Sequence, residues 1–200
     1  MRDKFSSVTE QRLLLILVGE SGAGKSTLCK LIGHPNKWFS SSGAIVAALQ
    51  EKGIEINHDT IHAFANEAYG NNPEWQIPQI VDFLNKEGCT VLDGPRRLQE
   101  VIALKQQIPN TQIIKVTASK ESRFYRLQKR DKIDRIAFQR VLKDEEQETE
   151  LGQLLNMCDY TIHNNGTIEE LSIEAKQIAK TIAEHSIEPD NERKSEISNI

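Results

Sequence analysis

Arg12–Val18 (RLLLILV) runs directly into Gly19-Glu20-Ser21-Gly22-Ala23-Gly24-Lys25-Ser26-Thr27. The first stretch is a continuous apolar run that stops at a glycine, which is how a strand buried on both faces of a parallel sheet reads. The second satisfies G-x-x-x-x-G-K-[ST] at every fixed position. Glycines open backbone conformations closed to other residues, so successive N–H groups can converge on phosphate oxygens. The helix expected from Gly24 to Ile32 adds the positive end of its dipole. The motif therefore assigns Gly19, Glu20, Ser21, Gly22, Ala23, Gly24, Lys25, Ser26 and Thr27 to a nucleoside triphosphate site. In that reading Lys25 reaches the β and γ phosphates and the Ser26 hydroxyl is a ligand of Mg2+.

Working outward, strands alternate with helices. Trp38-Phe39 reads as a short strand. Gly43–Gln50, Thr60–Tyr69 (with Asp59 as N-cap) and Ile77–Lys86 (closed by Gly88) read as helices. Cys89–Leu92 is a short buried strand ending at Asp93, Leu98–Gln107 a helix, and Gln112–Val116 a fourth strand. Lys120–Arg130 and Arg135–Glu148 are charged helices around a polar connection, Tyr160–His163 is a last strand, and Ile168–Ala183 a final amphipathic helix. The pattern predicts an α/β protein: a three-layer P-loop NTPase fold with a five-stranded parallel sheet, helices on both faces and a small helical lid. Residues 1–11 read as a flexible N-terminus, 12–184 as one P-loop domain and 185–200 as a disordered tail. Ligands of such sheets bind beyond the carboxyl ends of the strands.

Three features narrow the class. Asn85-Lys86-Glu87-Gly88 lacks the aspartate of a GTPase base-reading motif, and no Leu-Ser-Gly-Gly-Gln string of a transporter ATPase is present. The chain of 200 residues is short for an AAA+ module. Asp93 closes a buried strand in Thr90-Val91-Leu92-Asp93-Gly94-Pro95-Arg96-Arg97, where a carboxylate beside a phosphate loop organises Mg2+. Arg123, Arg126 and Arg130 lie at i, i+3 and i+7, on one helix face.

These strings resemble the P-loop small-molecule kinases, in the nucleoside monophosphate kinase-like and dephospho-CoA kinase-like group, over roughly Leu13–Ala183. Members carry Asp-Gly-x-Pro-Arg or Asp-Gly-x-Arg at this strand end, so the resemblance assigns Arg96 and Arg97 to the acceptor. It makes residues 12–184 a kinase domain with an acceptor-binding segment at about 39–87 and a lid at about 123–140, in which Arg126 and Arg130 close over the transferring phosphoryl group. Asp159-x-x-Ile162-x-Asn164-Asn165-Gly166-Thr167 matches the turn that passes beside adenine, so Asn165 and Gly166 are implied there. Ser41-Ser42-Gly43 resembles an acceptor-side segment and implies Ser42. The group's acceptor helix usually carries an arginine shortly after that glycine, and Gly43–Ala48 has none. Trp75 is a candidate for stacking on a base.

The resemblance implies ATP and Mg2+ as cofactors and a phosphotransferase with Lys25, Asp93, Arg126 and Arg130 as catalytic residues. The acceptor is a small nucleotide, a (deoxy)nucleoside monophosphate or a relative. A hydroxyl of dephospho-CoA, a modified base in nucleic acid, and a regulatory ATPase that signals to a partner are the alternatives. No apolar run reaches the length of a membrane helix, Cys29, Cys89 and Cys158 offer no disulfide framework, and the histidines lack metal spacing. A cytoplasmic monomer or homodimer is expected. The net charge of −4 hides two opposed regions. From Arg96 to Arg140 there are 12 Lys+Arg against 4 Asp+Glu, and elsewhere 13 against 25. That distribution suits an enclosed polyphosphate better than a nucleic-acid coat.

Overall fold

In the computed structural model of the chain, residues 13–32, 38–87, 91–95, 97–147 and 149–187 are described. The apolar run forms β1 (Leu14–Val18), with all five residues buried. Successive side chains of a strand point to opposite faces, and here both faces are apolar. Leu14, Ile16 and Val18 join one core and Leu15 and Leu17 the other. β2 (Trp38–Ser40), β3 (Val91–Asp93), β4 (Thr111–Thr117) and β5 (Tyr160–His163) complete a parallel sheet in the order β2-β3-β1-β4-β5.

Nine helices lie among the described residues. They are α1 (Lys25–Ile32), α2 (Ser41–Glu51), α3 (His58–Asn71), α4 (Ile77–Glu87), α5 (Leu98–Gln107), α6 (Lys120–Asp131), α7 (Arg135–Gln147), α8 (Thr149–Asn156) and α9 (Ile168–Ile187). One face of the sheet is covered by Ile80 and Leu84 of α4, Val101 and Leu104 of α5, and Leu154 of α8. The other is covered by Leu28 and Cys29 of α1 and Leu171, Ala175 and Ile182 of α9. This is the expected three-layer fold. From β1 the chain crosses to β2 on one side, and from β3 to β4 on the other. The crevice at the carboxyl ends of β1 and β3 is therefore the topological switch point, where open α/β sheets bind ligands.

The helical lid of α6 and α7 has its own small core of Phe124, Leu127, Phe138 and Leu142. Its first half lies directly on the phosphate loop. A Cβ at Gly22 would stand 2.9 Å from the Arg123 carbonyl oxygen and 3.0 Å from Leu127.

Several boundaries differ from the sequence reading; α2 starts two residues earlier than expected, at Ser41, capped by Ser40. α3 starts two residues earlier than expected, and its N-cap is Asn57, not Asp59. The Asn57 side chain accepts from the Thr60 N–H while the Thr60 side chain accepts from the Asn57 N–H, a reciprocal box that outcompetes a lone aspartate. α3 also runs on past Tyr69, the expected end, to Asn71. α8 was not anticipated; its fully buried Leu154 contributes about 1.5–3 kcal/mol against the sheet. α9 extends to Ile187, into the expected tail. The calls on 1–11, Gly88, Cys89, Thr90, Arg96 and 188–200 lie outside the described residues.

Candidate nucleotide site

The loop between β1 and α1 takes its shape from close packing. Gly24 has φ +109°, and a Cβ there would collide with the Asn164 side-chain amide. Gly19 comes so near the Val116 carbonyl that a side chain could not be placed between them. Lys25 curls back over the loop and donates through Nζ to the carbonyls of Gly19 (2.7 Å) and Glu20 (3.2 Å).

Across the switch point the Ser26 hydroxyl donates to Asp93 Oδ2 at 2.7 Å. Parallel pairing fixes this meeting, because β1 and β3 align Leu17 with Asp93. Asp93 is 5% exposed, and its Oδ1 is buried with no hydrogen-bond partner among the described residues. A buried carboxylate oxygen without a donor is costly unless something else completes it. Two hard oxygen donors suit Mg2+, which favours oxygen ligands and keeps most of its waters. Among the described residues no cluster of three or more His, Cys, Asp or Glu offers a rival metal site.

The three lid arginines on one face separate in space. Arg126 donates to the Gly22 and Ala23 carbonyls at 3.3 and 3.2 Å, and to the Asn164 carbonyl and Oδ1 at 2.8 and 3.2 Å. Arg130 points outward and forks onto Asp131 with two 2.7 Å bonds. Those bonds hold its pKa above the usual guanidinium value, with the charge of Asp93 adding in the same sense. Arg123 is 1% exposed and belongs to neither group. It forms an ion pair with Glu20 at 2.8 Å, pairs with Glu145, and donates to the Ser21 carbonyl at 2.9 Å. Sequence reasoning singled out neither this role nor Glu145, whose carboxylate accepts the Ser21 N–H at 2.6 Å.

At the end of β5, Asn164 carries more structure than the implied Asn165. It is buried and donates to the Ala23 carbonyl at 2.8 Å, locking the loop's far side. Asn165 accepts from the Ser119 N–H at 2.7 Å and so ties β5 to β4. Gly166 leads into a capping box. Glu170 accepts the Thr167 N–H at 2.7 Å and the Thr167 hydroxyl accepts the Glu170 N–H at 3.2 Å. An Asn-Asn-Gly string signals a turn, but which asparagine turns inward depends on the neighbouring loop.

On the β2 side, Ser40 sits level with Asp93 in register and caps α2 through the Gly43 N–H. Ser42 is exposed, its hydroxyl 3.3 Å from that of Ser40. Arg97 lies over the Tyr69 ring (5.2 Å), donates to Asn66 Oδ1 (3.2 Å) and faces Glu150 at 3.5 Å. It borders a cavity of about 280 Å³ that Asn66, Gln99 and Glu150 also line. Behind it, fully buried Glu100 lies 3.5 Å from the Tyr69 hydroxyl, which bonds Gln76 at 2.8 Å. Burial pushes the Glu100 carboxyl up to about 8, against smaller lowering effects of Tyr69 and Arg97. Trp75 meets Phe64 and Tyr69 edge-on at 5.6 and 5.9 Å, so its ring is part of this packing.

No family model matches the chain. A UPF0200 protein of Staphylothermus marinus is 31% identical over 184 residues, spanning 86% of this chain and 95% of that one. The chain belongs to the UPF0200 family. A second UPF0200 protein, from Sulfurisphaera tokodaii, is 27% identical over 84% of this chain and 97% of its own. Among solved structures, the UPF0200 fold described here resembles shikimate kinases. That of Acinetobacter baumannii, in complex with shikimate, gives a TM-score of 0.54 at 18% identity, covering 92% of this chain and 99% of that one. That of Aquifex aeolicus gives 0.55 at 15%, covering 86% and 98%. These likenesses establish the fold as that of P-loop kinases. No described helix is long and apolar enough to cross a membrane.

Proposed function

We propose that this UPF0200 chain is a kinase-like phosphotransferase that moves the γ-phosphoryl of Mg·ATP to a small acceptor, a nucleoside monophosphate or a related nucleotide. The observation that carries the reading is the meeting of Ser26 and Asp93 at 2.7 Å beside Lys25, at the switch point of the sheet. Phosphoryl transfer needs positioned positive charge and excluded water more than covalent help. Lys25 would leave the Gly19 and Glu20 carbonyls and neutralise phosphate oxygens. Ser26 and Asp93 would hold Mg2+, which when bound offsets charge on the β and γ phosphates. Arg126 steadies the loop from the lid, and Arg130 is the lid cation that faces outward and can swing onto the transferring group. Asn165 and Gly166 border the place for the base.

Arg97, with Ser42 and Arg96, would receive the acceptor. The cavity beside Arg97 is close to the lower end of the ~300–1,000 Å³ typical of ligand pockets. If the acceptor atom is a phosphate oxygen, no general base is needed. If it is a hydroxyl, as in the alternatives of dephospho-CoA or a modified base, Asp93 or another residue of the site would take the proton. The test is γ-labelled ATP offered with ribo- and deoxynucleoside monophosphates, dephospho-CoA, nucleosides and DNA. Label on a monophosphate supports the reading. Label on dephospho-CoA or DNA transfers it to the alternative. ATP bound with no label moved to anything refutes the kinase assignment and leaves a regulatory ATPase.

A further inference from the structure

The lid grips one residue of the phosphate loop by both of its backbone groups. Arg123 of α6 donates to the Ser21 carbonyl at 2.9 Å, and Glu145 of α7 accepts the Ser21 N–H at 2.6 Å. Arg123 and Glu145 also pair with each other; the Arg123 side chain is buried and that of Glu145 is partly buried, 1% and 12% exposed. Arg123 has a second carboxylate partner in Glu20. The group as a whole is one cation and two anions, a net charge of −1 placed on the crest of a loop built to hold anions.

A carboxylate oxygen on a loop N–H is the nearest stand-in a protein has for a phosphate oxygen. Both are anionic acceptors, and charge-assisted bonds of this kind are the stronger ones. We propose that Glu145 is an internal occupant of the phosphate cradle and sets its discrimination between nucleoside triphosphate and diphosphate. This rests on the nucleotide reading above and names a residue that reading does not use. For the terminal phosphate to take the Ser21 N–H, Glu145 must withdraw from it. Withdrawal leaves Arg123 with the Glu20 carboxylate and the Ser21 carbonyl, one anion fewer, so part of its positive charge becomes available to the incoming anion. The ligand that must make this exchange is the one whose phosphate chain reaches the crest, the triphosphate, so Glu145 weakens its binding more than that of the diphosphate. A shorter chain displaces nothing and feels only the unrelieved negative charge.

The test compares wild type, Glu145→Gln and Glu145→Asp for binding of ATP and ADP by calorimetry, without acceptor, in the presence of Mg2+. Glu145→Gln keeps a hydrogen-bond acceptor and removes the charge. It is expected to tighten ATP about tenfold and ADP about twofold, because a charged competitor is replaced by a neutral one. Glu145→Asp keeps the charge on Arg123 but is one methylene shorter. It is expected to fold like wild type and to tighten ATP by a smaller factor. Thermal melts without nucleotide report the fold separately. Lower melting temperature together with tighter ATP binding supports the proposal. Weaker or unchanged ATP binding in both variants overturns it and makes Glu145 a structural brace. No ATP binding by wild type overturns the nucleotide reading itself, and this proposal with it.

Discussion

Replacing Glu100 by glutamine probes a carboxyl that burial holds neutral. Glu100 is fully buried in the first turn of α5, its Oε2 has no hydrogen-bond partner among the described residues, and its carboxyl is pushed up to about 8 by burial. Its neighbour Tyr69 has a better acceptor in Gln76, at 2.8 Å against 3.5 Å. A protonated Glu100 can instead donate to Tyr69, giving a chain of bonds that runs in one direction through Gln76 to the Ser41 carbonyl. The unfolded chain has the ordinary value, 4.5. Between these values the native state holds a proton that the unfolded state has released, so stability falls as pH rises, by about 1.4 kcal/mol per unit. The favourable contribution is complete below about pH 4.5 and lost as pH climbs through about 8. At pH 7 the cost of keeping the proton is about 3 kcal/mol. Glutamine carries no charge, and its amide donates to Tyr69 as the acid does. Urea unfolding at several pH values from 5 to 8 should therefore show wild type losing stability with pH relative to Glu100→Gln. The two lines should converge near pH 5 and stand about 3 kcal/mol apart near neutrality, with equal m-values. Parallel lines, or a less stable variant at pH 7.5, would mean that Glu100 is ionised in the native state and held by Arg97. That result refutes the reasoning.

Two further substitutions probe the loop and the metal ligands. Gly24→Ala faces both a φ of +109° and the Asn164 amide, so it should lower stability by more than about 1 kcal/mol and weaken ATP binding, read by denaturation and calorimetry together. Asp93→Asn retains the hydrogen bond from Ser26 but removes the charge. It should reduce the Mg2+-dependent part of ATP affinity by at least about tenfold while leaving the melting temperature near wild type, and an unchanged Mg2+ dependence would count against the assigned ligand.

Much of the fold was legible because its signals are local. The apolar run before Gly19 predicts a buried central strand, and an Asp at the end of a second buried run predicts which strand lies beside it. The match of α5 to Leu98–Gln107 follows from its periodicity and the proline after it. What was not legible depends on tertiary contacts. α8 has eight residues, too few for a periodic pattern, and one turn of it is held by Leu154 against the sheet. The cap of α3 differs because Asn57 and Asp59, two residues apart, offer two starts, and only the reciprocal bond with Thr60 decides between them. Three arginines on one helix face look equivalent in sequence. Which one meets the loop crest, which meets Asn164 and which meets solvent depends on where the helix lands. Glu145 stands in the acidic run Asp144-Glu145-Glu146, where spacing does not distinguish it from its neighbours.

The central claim is that the loop at Gly19–Thr27 and the end of β3 together make a Mg·ATP site. Calorimetric titration with ATP, with and without Mg2+, on wild type and Lys25→Ala tests it without any knowledge of the acceptor. The account predicts saturable binding strengthened by Mg2+ in wild type, and a loss of at least about tenfold in a Lys25→Ala variant that melts like wild type. Affinity unaffected by Mg2+ and by removal of Lys25 would contradict it.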